Sequence, residues 1–418
     1  MAQSAHRPQS FLLLPDGVFV DPPGEVRRGW AVLTDGDSIS AVGPAADLLA
    51  GAAQRVPLPG LTLLPGLINT HVHLSLSGGA DPRSDYWNDS PEARFARALE
   101  NGALMLDGGV TTIRDCGSDW HVLKLHEVAE KRLAHLPNLL LSGPPVTPPG
   151  GHLHQMGGEA AGSAAITELV TRLHEHGANS IKAMATGGQM TPGTFPERAG
   201  YSVEELQAVT AAAAQFGHPT VAHVLATEGI RRAALAGFDS LEHCAFFQRA
   251  DNQLLQRVYD SSIGELIRQS GAGAMIGVAA SYHALDQARA RGGTTEAEQF
   301  LLTQEENTFS ITRKLSALGI PIVCGTDAGT PYTPFNETWL EVNLLVDRVG
   351  LTPLEALRSA TVNAAAALKL ETVTGRAAQG FRADLIAVRG SPLDNPAVLS
   401  DVPWVMRRGE ITKGAVTA

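Results

Sequence analysis

The sequence predicts an α/β protein whose main part is a TIM-type (β/α)8 barrel, joined to a small β-sandwich domain made from both chain termini. Three observations predict this fold class. Short apolar runs alternate with amphipathic segments from about residue 65 onwards, the alternation occurs eight times, and both chain ends carry only short strand-like pieces. A doubly wound open sheet is the competing architecture, but eight runs within residues 66–328 fit the usual barrel length of roughly 250 residues better.

The eight predicted strands are rich in β-branched and apolar residues. They span residues 66–74, 110–117, 138–146, 180–188, 219–224, 240–246, 274–280 and 321–328. Helical signals lie between them. Ser202 and Glu205 have the spacing of a capping box. Thr352 and Glu355 have the same spacing, with Pro353 at the first helical position.

The two chain ends differ from the middle of the chain. Residues 1–60 hold short strand-like pieces separated by turns, and residues 377–418 have a similar character. Neither end is long enough to hold a good core alone, so we expect the two to pair. We therefore predict a composite β-sandwich domain from residues 1–62 and 370–418 and a barrel from residues 63–369.

Composition and charge narrow the function classes. Of the 418 residues, 44% are hydrophobic and 18% are charged, as in an ordinary globular protein. The formal net charge of −11 argues against nucleic acid or an anionic membrane as the main partner. The first apolar run, residues 11–14, is too short for a signal peptide or a membrane span. Cys116, Cys244 and Cys324 cannot all pair, so we expect a cytoplasmic protein with free, mostly buried thiols.

Metal-ligating side chains are predicted at the carboxyl ends of four strands. His71 and His73 are two residues apart on the first strand and therefore project from the same face. His223 ends the fifth strand, His243 lies in the sixth and Asp327 in the eighth. Taken alone, each of these histidines could instead bond a nearby backbone group, and Asp327 could cap a turn. Because barrel enzymes place their sites at this end of the strands, four strands that each supply a donor favour a shared metal site.

Lys182 is unusual because lysine is scarce, with only six among 32 basic residues, and because its neighbours in the fourth strand are apolar. An unpaired ammonium is costly to bury, so the side chain should be paired, deprotonated or chemically modified. One alternative is a snorkelling side chain or an ion pair with an acid such as Asp115. The other is a carbamate formed from carbon dioxide, whose two oxygens suit the bridging of two divalent ions. The converging donors favour the carbamate.

Several motifs together resemble the amidohydrolase superfamily, in particular its imidazolonepropionase-like and Xaa-Pro dipeptidase-like branch. They are PGLINTHVHL at 65–74, GVTTIRD at 109–115, IK at 181–182 with TGG at 186–188, AH at 222–223, DSLEH at 239–243 and GTDA at 325–328. The sequence GFRADL at 380–385 resembles the family's return into its β-sandwich. The similarity covers essentially the whole chain, and the motifs are highly specific in combination.

The resemblance implies a binuclear metal centre. Its ligands would be His71, His73 and Asp327 on one ion, His223 and His243 on the other, and carbamylated Lys182 as the bridge. Zinc is the favoured metal, with manganese, cobalt or iron as alternatives. A hydroxide between the ions would be the nucleophile, and Asp327 would take its proton and pass it to the leaving nitrogen. The second ion would polarise the scissile carbonyl.

The loop after the third strand is one expected source of substrate contacts. It contains Gly151-His152, and a similar glycine-glycine-histidine stretch in the family lies over the active site. His152 is therefore a candidate catalytic residue that donates a hydrogen bond to the substrate carbonyl. His154 is a further candidate in the same loop. The alternative for both histidines is a rigid surface loop with solvated imidazoles.

The loop after the seventh strand is the other expected source. Tyr282 and His283 would lie near the pocket, and Arg289 and Arg291 could bind a substrate carboxylate in a bidentate manner. A solvated helix face is the alternative for the two arginines. Several relatives carry tyrosine directly after the fifth-strand histidine, where this chain has Val224. This departure argues against carrying over a narrow substrate preference.

The leading functional prediction is a metal-dependent hydrolase of an amide or peptide bond, in a dipeptide or N-acyl amino acid with a free carboxylate. The same side chains could instead act on a cyclic amide, a carbamate or urea xenobiotic, or a natural-product peptide during its maturation. A non-catalytic scaffold barrel is least favoured, because all six ligand positions hold competent residues. Relatives are often oligomeric, so the resemblance leaves a homo-oligomer open.

Overall fold

The structure, a computed structural model, describes residues 9–49, 53–249, 255–280, 282–293 and 295–414. It has an α/β fold in which strands and helices alternate through the middle of the chain. None of the helices in these ranges combines the length and the apolar character that a membrane crossing needs.

The strands are β1 (Ser10–Val20), β2 (Glu25–Arg28), β3 (Trp30–Asp35), β4 (Ser38–Pro44), β5 (Gln54–Pro65), β6 (Leu67–Val72), β7 (Val110–Asp115), β8 (Asn138–Leu141), β9 (Ile181–Met184), β10 (Thr220–His223), β11 (Ser240–Glu242), β12 (Phe247–Arg249), β13 (Leu255–Arg257), β14 (Gly273–Met275), β15 (Leu385–Arg389), β16 (Trp404–Arg407) and β17 (Glu410–Lys413). The α-helices are α1 (Ala45–Leu48), α2 (Pro82–Asn88), α3 (Pro91–Asp107), α4 (Leu125–Glu130), α5 (Ser163–Glu175), α6 (Val203–Gln215), α7 (Thr227–Ala236), α8 (Ser261–Ser270), α9 (Tyr282–Ala290), α10 (Glu296–Ala317), α11 (Thr338–Leu344), α12 (Pro353–Ser359) and α13 (Val362–Ala367). Both predicted capping boxes, Ser202 with Glu205 and Thr352 with Glu355, are confirmed at the starts of α6 and α12.

Strands from both chain ends form one sheet, in the order β17-β16-β15-β5-β1-β3-β4, with β2 paired to β1. The two ends meet at the contact between β5 and β15, which run antiparallel. Two of these strands show how the sheet is buried. Leu64 and Ile386 pack into the large core of the molecule, whereas Leu63 and Leu385 pack into a separate apolar cluster. Because successive strand residues point to opposite faces, the sheet has one face on each cluster.

The strands of the middle region pair in parallel. One sheet has the order β6-β7-β8 and another the order β9-β10-β11-β14. Isolated parallel bridges continue the pairing between the two sheets: Val146 with Ala183, Ala274 with Ile322, and Ala328 with Val72. The parallel pairings therefore follow a cyclic order, and helices lie between consecutive strands. This order brings the carboxyl ends of the strands to the same side of the molecule.

The later strands are shorter than the sequence predicts. The sixth and seventh are only the three-residue strands β11 and β14, and residues 321–328, all described, form isolated bridges instead of a regular strand. The backbone leaves the extended conformation at His243, Gly277 and Asp327, whose φ angles are 70°, 70° and 57°. Such turns end a strand, so the apolar runs extend beyond the hydrogen-bonded pairing.

Candidate metal centre

His71 and His73 lie at the carboxyl end of β6, and both imidazoles are buried. Side chains alternate between the two faces of a strand, so the two-residue spacing directs both rings to the same side. Nε2 of each ring lies 3.3 Å from Oδ1 of Asp327. The predicted donors of the first and eighth strands therefore meet at one carboxylate oxygen.

Hydrogen bonds on the far side of each ring orient these two histidines. Nδ1 of His73 donates to the Gly117 carbonyl oxygen at 2.9 Å, and Nδ1 of His71 bonds the Glu242 carboxylate. In its neutral form with the proton on Nδ1, each ring has a lone pair on Nε2. Both Nε2 atoms face Oδ1 of Asp327, which itself has no hydrogen-bond partner among the described residues. Two imidazole nitrogens and a carboxylate oxygen that converge in this way are a donor set that fits a shared cation.

Backbone turns bring Asp327 and His243 into the site. Both residues have the left-handed φ angles given above, which are unfavourable for residues other than glycine and often occur at functional positions. The turn at Asp327 is held by its N–H, which donates to the His71 carbonyl oxygen at 2.9 Å. One ligand atom each from His71, His243 and Asp327 lies within 4.8 Å of the others. These three residues can thus surround one ion.

His223, at the end of β10, extends the imidazole cluster. Its ring centroid is 4.9 Å from that of His243 and 4.8 Å from that of His152. The His71 and His243 centroids are 5.1 Å apart. The four predicted metal-binding histidines therefore form one group, in which only His243 is partly exposed, and His152 lies against its edge.

Lys182 lies in β9 and is only 1% exposed. Its Nζ has no hydrogen-bond partner among the described residues, although it lines the same cavity as the histidines and Asp327. The alternative partner Asp115 is engaged elsewhere, because its carboxylate accepts from Leu74 N at 2.7 Å and Gly117 N at 3.2 Å. A buried lysine nitrogen without a partner, beside several metal donors, fits the predicted carbamate bridge.

Glu242 and Arg114 support the cluster from behind. Both side chains are fully buried, and Arg114 Nη2 lies 3.2 Å from Glu242 Oε1. The other oxygen of Glu242 bonds His71, so the ion pair fixes the ring that offers Nε2 to the site. No role was predicted for these two residues from the sequence. Two opposite charges within otherwise apolar strands, in the second and the sixth predicted strand, were the signal that could have indicated their pairing.

Burial lowers the pKa of His71 to about 4 and that of His243 to about 3. His73 differs, because Asp327 outweighs burial and raises its pKa. Burial alone would raise the pKa of Glu242, but the charges of Arg114 and His71 outweigh it and hold the pKa at about 2. Near neutral pH, His71 and His243 are therefore uncharged and Glu242 is ionised, which are the forms that bind a metal and orient its ligands.

His152 lies on the cavity wall, and its orientation follows from Thr191. The Thr191 hydroxyl oxygen accepts from Leu153 N at 3.0 Å, which leaves its proton free to bond His152 Nδ1 at 2.9 Å. Burial lowers the pKa of His152 to about 3, so the ring is neutral near neutral pH. When Nδ1 accepts from the Thr191 hydroxyl, the ring proton lies on Nε2. His152 can thus donate one hydrogen bond into the cavity.

The other three predicted substrate residues do not line this cavity. His154 is partly exposed, with Nδ1 3.7 Å from Glu159 Oε1. His283 Nε2 bonds Glu337 Oε2 at 2.6 Å, and Tyr282 packs against the main core. Their roles in substrate binding stay predictions. Arg257, which the sequence analysis did not single out, does line the cavity, and no local pattern in the sequence marks it.

The profile of the amidohydrolase family matches residues 62–416. The chain belongs to the amidohydrolase family. The resemblance inferred from the motifs is thus confirmed, and the family supports a hydrolase that acts on amide bonds. The match begins in β5 and extends beyond β17, so it includes every candidate ligand.

Curated relatives align over most of this amidohydrolase. Ochratoxinase from Aspergillus niger is 27% identical, over 95% of this chain and 86% of that protein. Imidazolonepropionase from Symbiobacterium thermophilum is 25% identical, over 91% of each chain. The crystal structure of a Xaa-Pro dipeptidase with bound methionine superimposes with a TM-score of 0.85 at 23% identity, covering 97% of this chain and all of the other. At that identity, the last comparison establishes the shared fold.

Proposed function

We propose that this amidohydrolase is a metal-dependent enzyme that cleaves an amide or peptide bond in a dipeptide or N-acyl amino acid with a free carboxylate. One observation carries the proposal: the buried His71, His73 and His223, the half-buried His243 and Asp327 line the same cavity as the unpartnered Nζ of Lys182. Each of these polar side chains costs free energy to bury. A cluster of them therefore does not serve the packing of the core, which favours a functional role.

The residues divide into two sets of ligands and a bridge: His71, His73 and Asp327 for one divalent ion, His223 and His243 for the other, and Lys182 as its carbamate between them. The neutral imidazoles and the mixed nitrogen and oxygen donors favour zinc, with manganese, cobalt or iron as alternatives. Bound in this way, the ions would lower the pKa of a water molecule and polarise a carbonyl group.

Asp327 and His152 are the residues proposed to act on the substrate. Asp327 is ionised at neutral pH, because its interactions with His71, His73 and His243 outweigh burial and hold its pKa well below its usual range. An ionised carboxylate at this position can accept the proton of the attacking water and deliver it to the leaving nitrogen. His152 presents Nε2–H to the cavity and would stabilise the negative charge that develops on the carbonyl oxygen.

We further propose that residues 63–369 form a (β/α)8 barrel and that residues 1–62 and 370–418 form a β-sandwich domain. The cyclic order of parallel pairings supports the first part, and the separate apolar cluster of the terminal sheet supports the second. Cys116, Cys244 and Cys324 are all free and buried, as predicted. Their reduced state supports a proposed cytoplasmic location.

The test of the metal centre is Lys182→Ala, with exposed Lys131→Ala as the matched control. After treatment with zinc and bicarbonate, we expect the wild-type protein and the Lys131 variant to hold two ions per chain. The Lys182 variant should lose at least one ion and roughly 100-fold or more of its amidase activity. Elemental analysis and assays with a panel of dipeptides and N-acyl amino acids measure both effects. Two retained ions with normal turnover in the Lys182 variant would refute the bridge.

A further inference from the structure

A cationic side chain lies in the wall of the cavity that contains the metal-site residues. Arg257 is the last residue of β13, and the antiparallel pairing of β12 with β13 places Phe247 opposite it. The guanidinium carbon lies 4.7 Å from the centroid of the Phe247 ring, within cation–π distance. The Arg257 N–H donates to Gln304 Oε1 at 3.2 Å. These contacts anchor Arg257 without using any of its side-chain donors.

The guanidinium of Arg257 has no counter-charge within the described part of the chain. Nε is buried without a hydrogen-bond partner, and no ion pair with a carboxylate occurs there. Burial lowers the pKa of Arg257 to about 10, which still leaves the group charged at neutral pH. A cation that is partly withdrawn from water and left unpaired costs free energy, which a bound anion would recover.

The carboxylates on the cavity wall are already engaged. Asp327 contacts His71 and His73, as described above. Glu305 forms an ion pair with Arg289 and lies 3.5 Å from Nη2 of Arg348. Its charge is therefore matched by two other arginines, and Arg257 is left as the cation that an occupant of the cavity would meet.

Apolar side chains line the same cavity: Leu225, Ile276, Val278, Leu285 and Phe309. A ligand with an anionic group for Arg257 and an apolar group for this wall would satisfy both features. A carboxylate is the anion that fits an amide substrate, and the planar guanidinium can bind both of its oxygens.

We propose that Arg257 binds the free carboxylate of the substrate and that the residue bearing this carboxylate has an apolar side chain. This inference rests on the proposed amide hydrolysis and specifies its substrate class. It also moves the carboxylate contact away from Arg289 and Arg291. Both are more than one-third exposed and pair with Glu305 and Glu298, respectively, which agrees with the alternative of a solvated helix face.

Binding of two matched probes tests the proposal without any need for turnover. N-acetyl-L-leucine and N-acetyl-L-leucinamide differ only in the charge of the carboxyl end, and calorimetry on the zinc-loaded full chain measures their affinities. We expect the wild-type protein to bind the acid at least about tenfold more tightly than the amide. Arg257→Met should abolish this preference, and the exposed control Arg291→Met should retain it.

Hydrolysis provides the second measurement, using dipeptides and N-acyl amino acids with free or amidated carboxyl ends. Arg257→Met should lower kcat/KM for free acids by about 100-fold and leave the amidated substrates nearly unchanged, while Arg257→Lys restores part of the loss. Thermal unfolding and metal content confirm that the variants are folded. Equal use of free and amidated substrates by the wild-type protein, which needs no variant, would overturn the proposal.

The two proposals can fail separately. If the wild-type protein binds the acid selectively through Arg257 but hydrolyses no compound in the panel, the hydrolase assignment fails and the carboxylate site stands. If it hydrolyses amides without any preference for a free carboxylate, the hydrolase assignment stands and the role of Arg257 is wrong.

Discussion

Glu341 is a buried carboxylate next to the cavity, 1% exposed. Its two oxygens accept hydrogen bonds from Val278 N at 3.0 Å and Ala279 N at 2.7 Å. These bonds favour the ionised form, but burial outweighs them and raises the pKa of Glu341 to about 7. The segment that includes Val278 is thus held by a side chain that is half protonated near neutral pH.

The raised pKa of Glu341 predicts a pH dependence of stability. The folded protein binds this proton more tightly than the unfolded chain, so the stabilisation is complete below about pH 4.5 and is lost as the pH rises through about 7. We expect the contribution of this group to the free energy of unfolding to fall by about 3 kcal/mol across that range. Urea unfolding between pH 5 and 8 should show a shallower decline for Glu341→Gln than for the wild-type protein.

The exposed Glu371 supplies the comparison, since Glu371→Gln should leave the pH profile of unfolding as it is in the wild-type protein. Parallel pH profiles for the wild-type protein and Glu341→Gln would show that Glu341 is not the titrating group.

At the scale of elements, the segment after β9 fits closely against the loop that carries His152. A Cβ atom at Gly188 would lie 2.3–2.4 Å from three atoms of the His152 ring, closer than any side-chain contact allows. Glycine at this position therefore permits the two segments to approach. The His152 ring rests between Gly188 and Thr191, with its Nδ1 bonded to the Thr191 hydroxyl.

We predict that Gly188→Ala displaces the His152 ring and lowers kcat/KM by about 10- to 100-fold, because small errors in the position of a catalytic group are costly. Metal content should be unchanged, since His152 is not among the proposed ligands. Gly43→Ala is the matched control, because a Cβ there meets nothing within 4 Å. Unimpaired turnover in Gly188→Ala, or loss of the ions, would contradict this assignment.

At the scale of the whole molecule, Asp384 joins the terminal sheet to the parallel strands. Its carboxylate accepts from Asn138 Nδ2 at 3.0 Å and from Arg408 N at 2.9 Å, and it pairs with Arg382. Its carbonyl oxygen accepts from Gly66 N at 2.9 Å. The carboxylate is fully buried, so its partners would be left unsatisfied in its absence.

Asp384→Ala should lower the free energy of unfolding by about 3–5 kcal/mol, the usual cost of breaking a buried ion pair from one side. Denaturant titration followed by circular dichroism measures this loss. The exposed Asp394→Ala should change stability by less than about 0.5 kcal/mol. A similar, small effect of both substitutions would show that the Asp384 contacts do not join the two parts energetically.

The sequence by itself determined the alternation of strands and helices and the polar side chains that end several of the strands. His71 and His73 could be placed on one face because the two-residue period of a strand is local. His223 and Asp327 were found because donors at the carboxyl ends of parallel strands share one side of the fold. The pairing of the chain ends followed from their small size, since neither can bury a core alone.

Only the tertiary structure decided how distant side chains meet. It engages Asp115 with backbone N–H groups and leaves Lys182 unpartnered, and it pairs Arg114 with Glu242 behind His71. It also brings Arg257, which no motif marks, to the cavity wall. These outcomes depend on contacts between residues far apart in sequence and on the balance between desolvation and pairing, and neither is encoded in local periodicity.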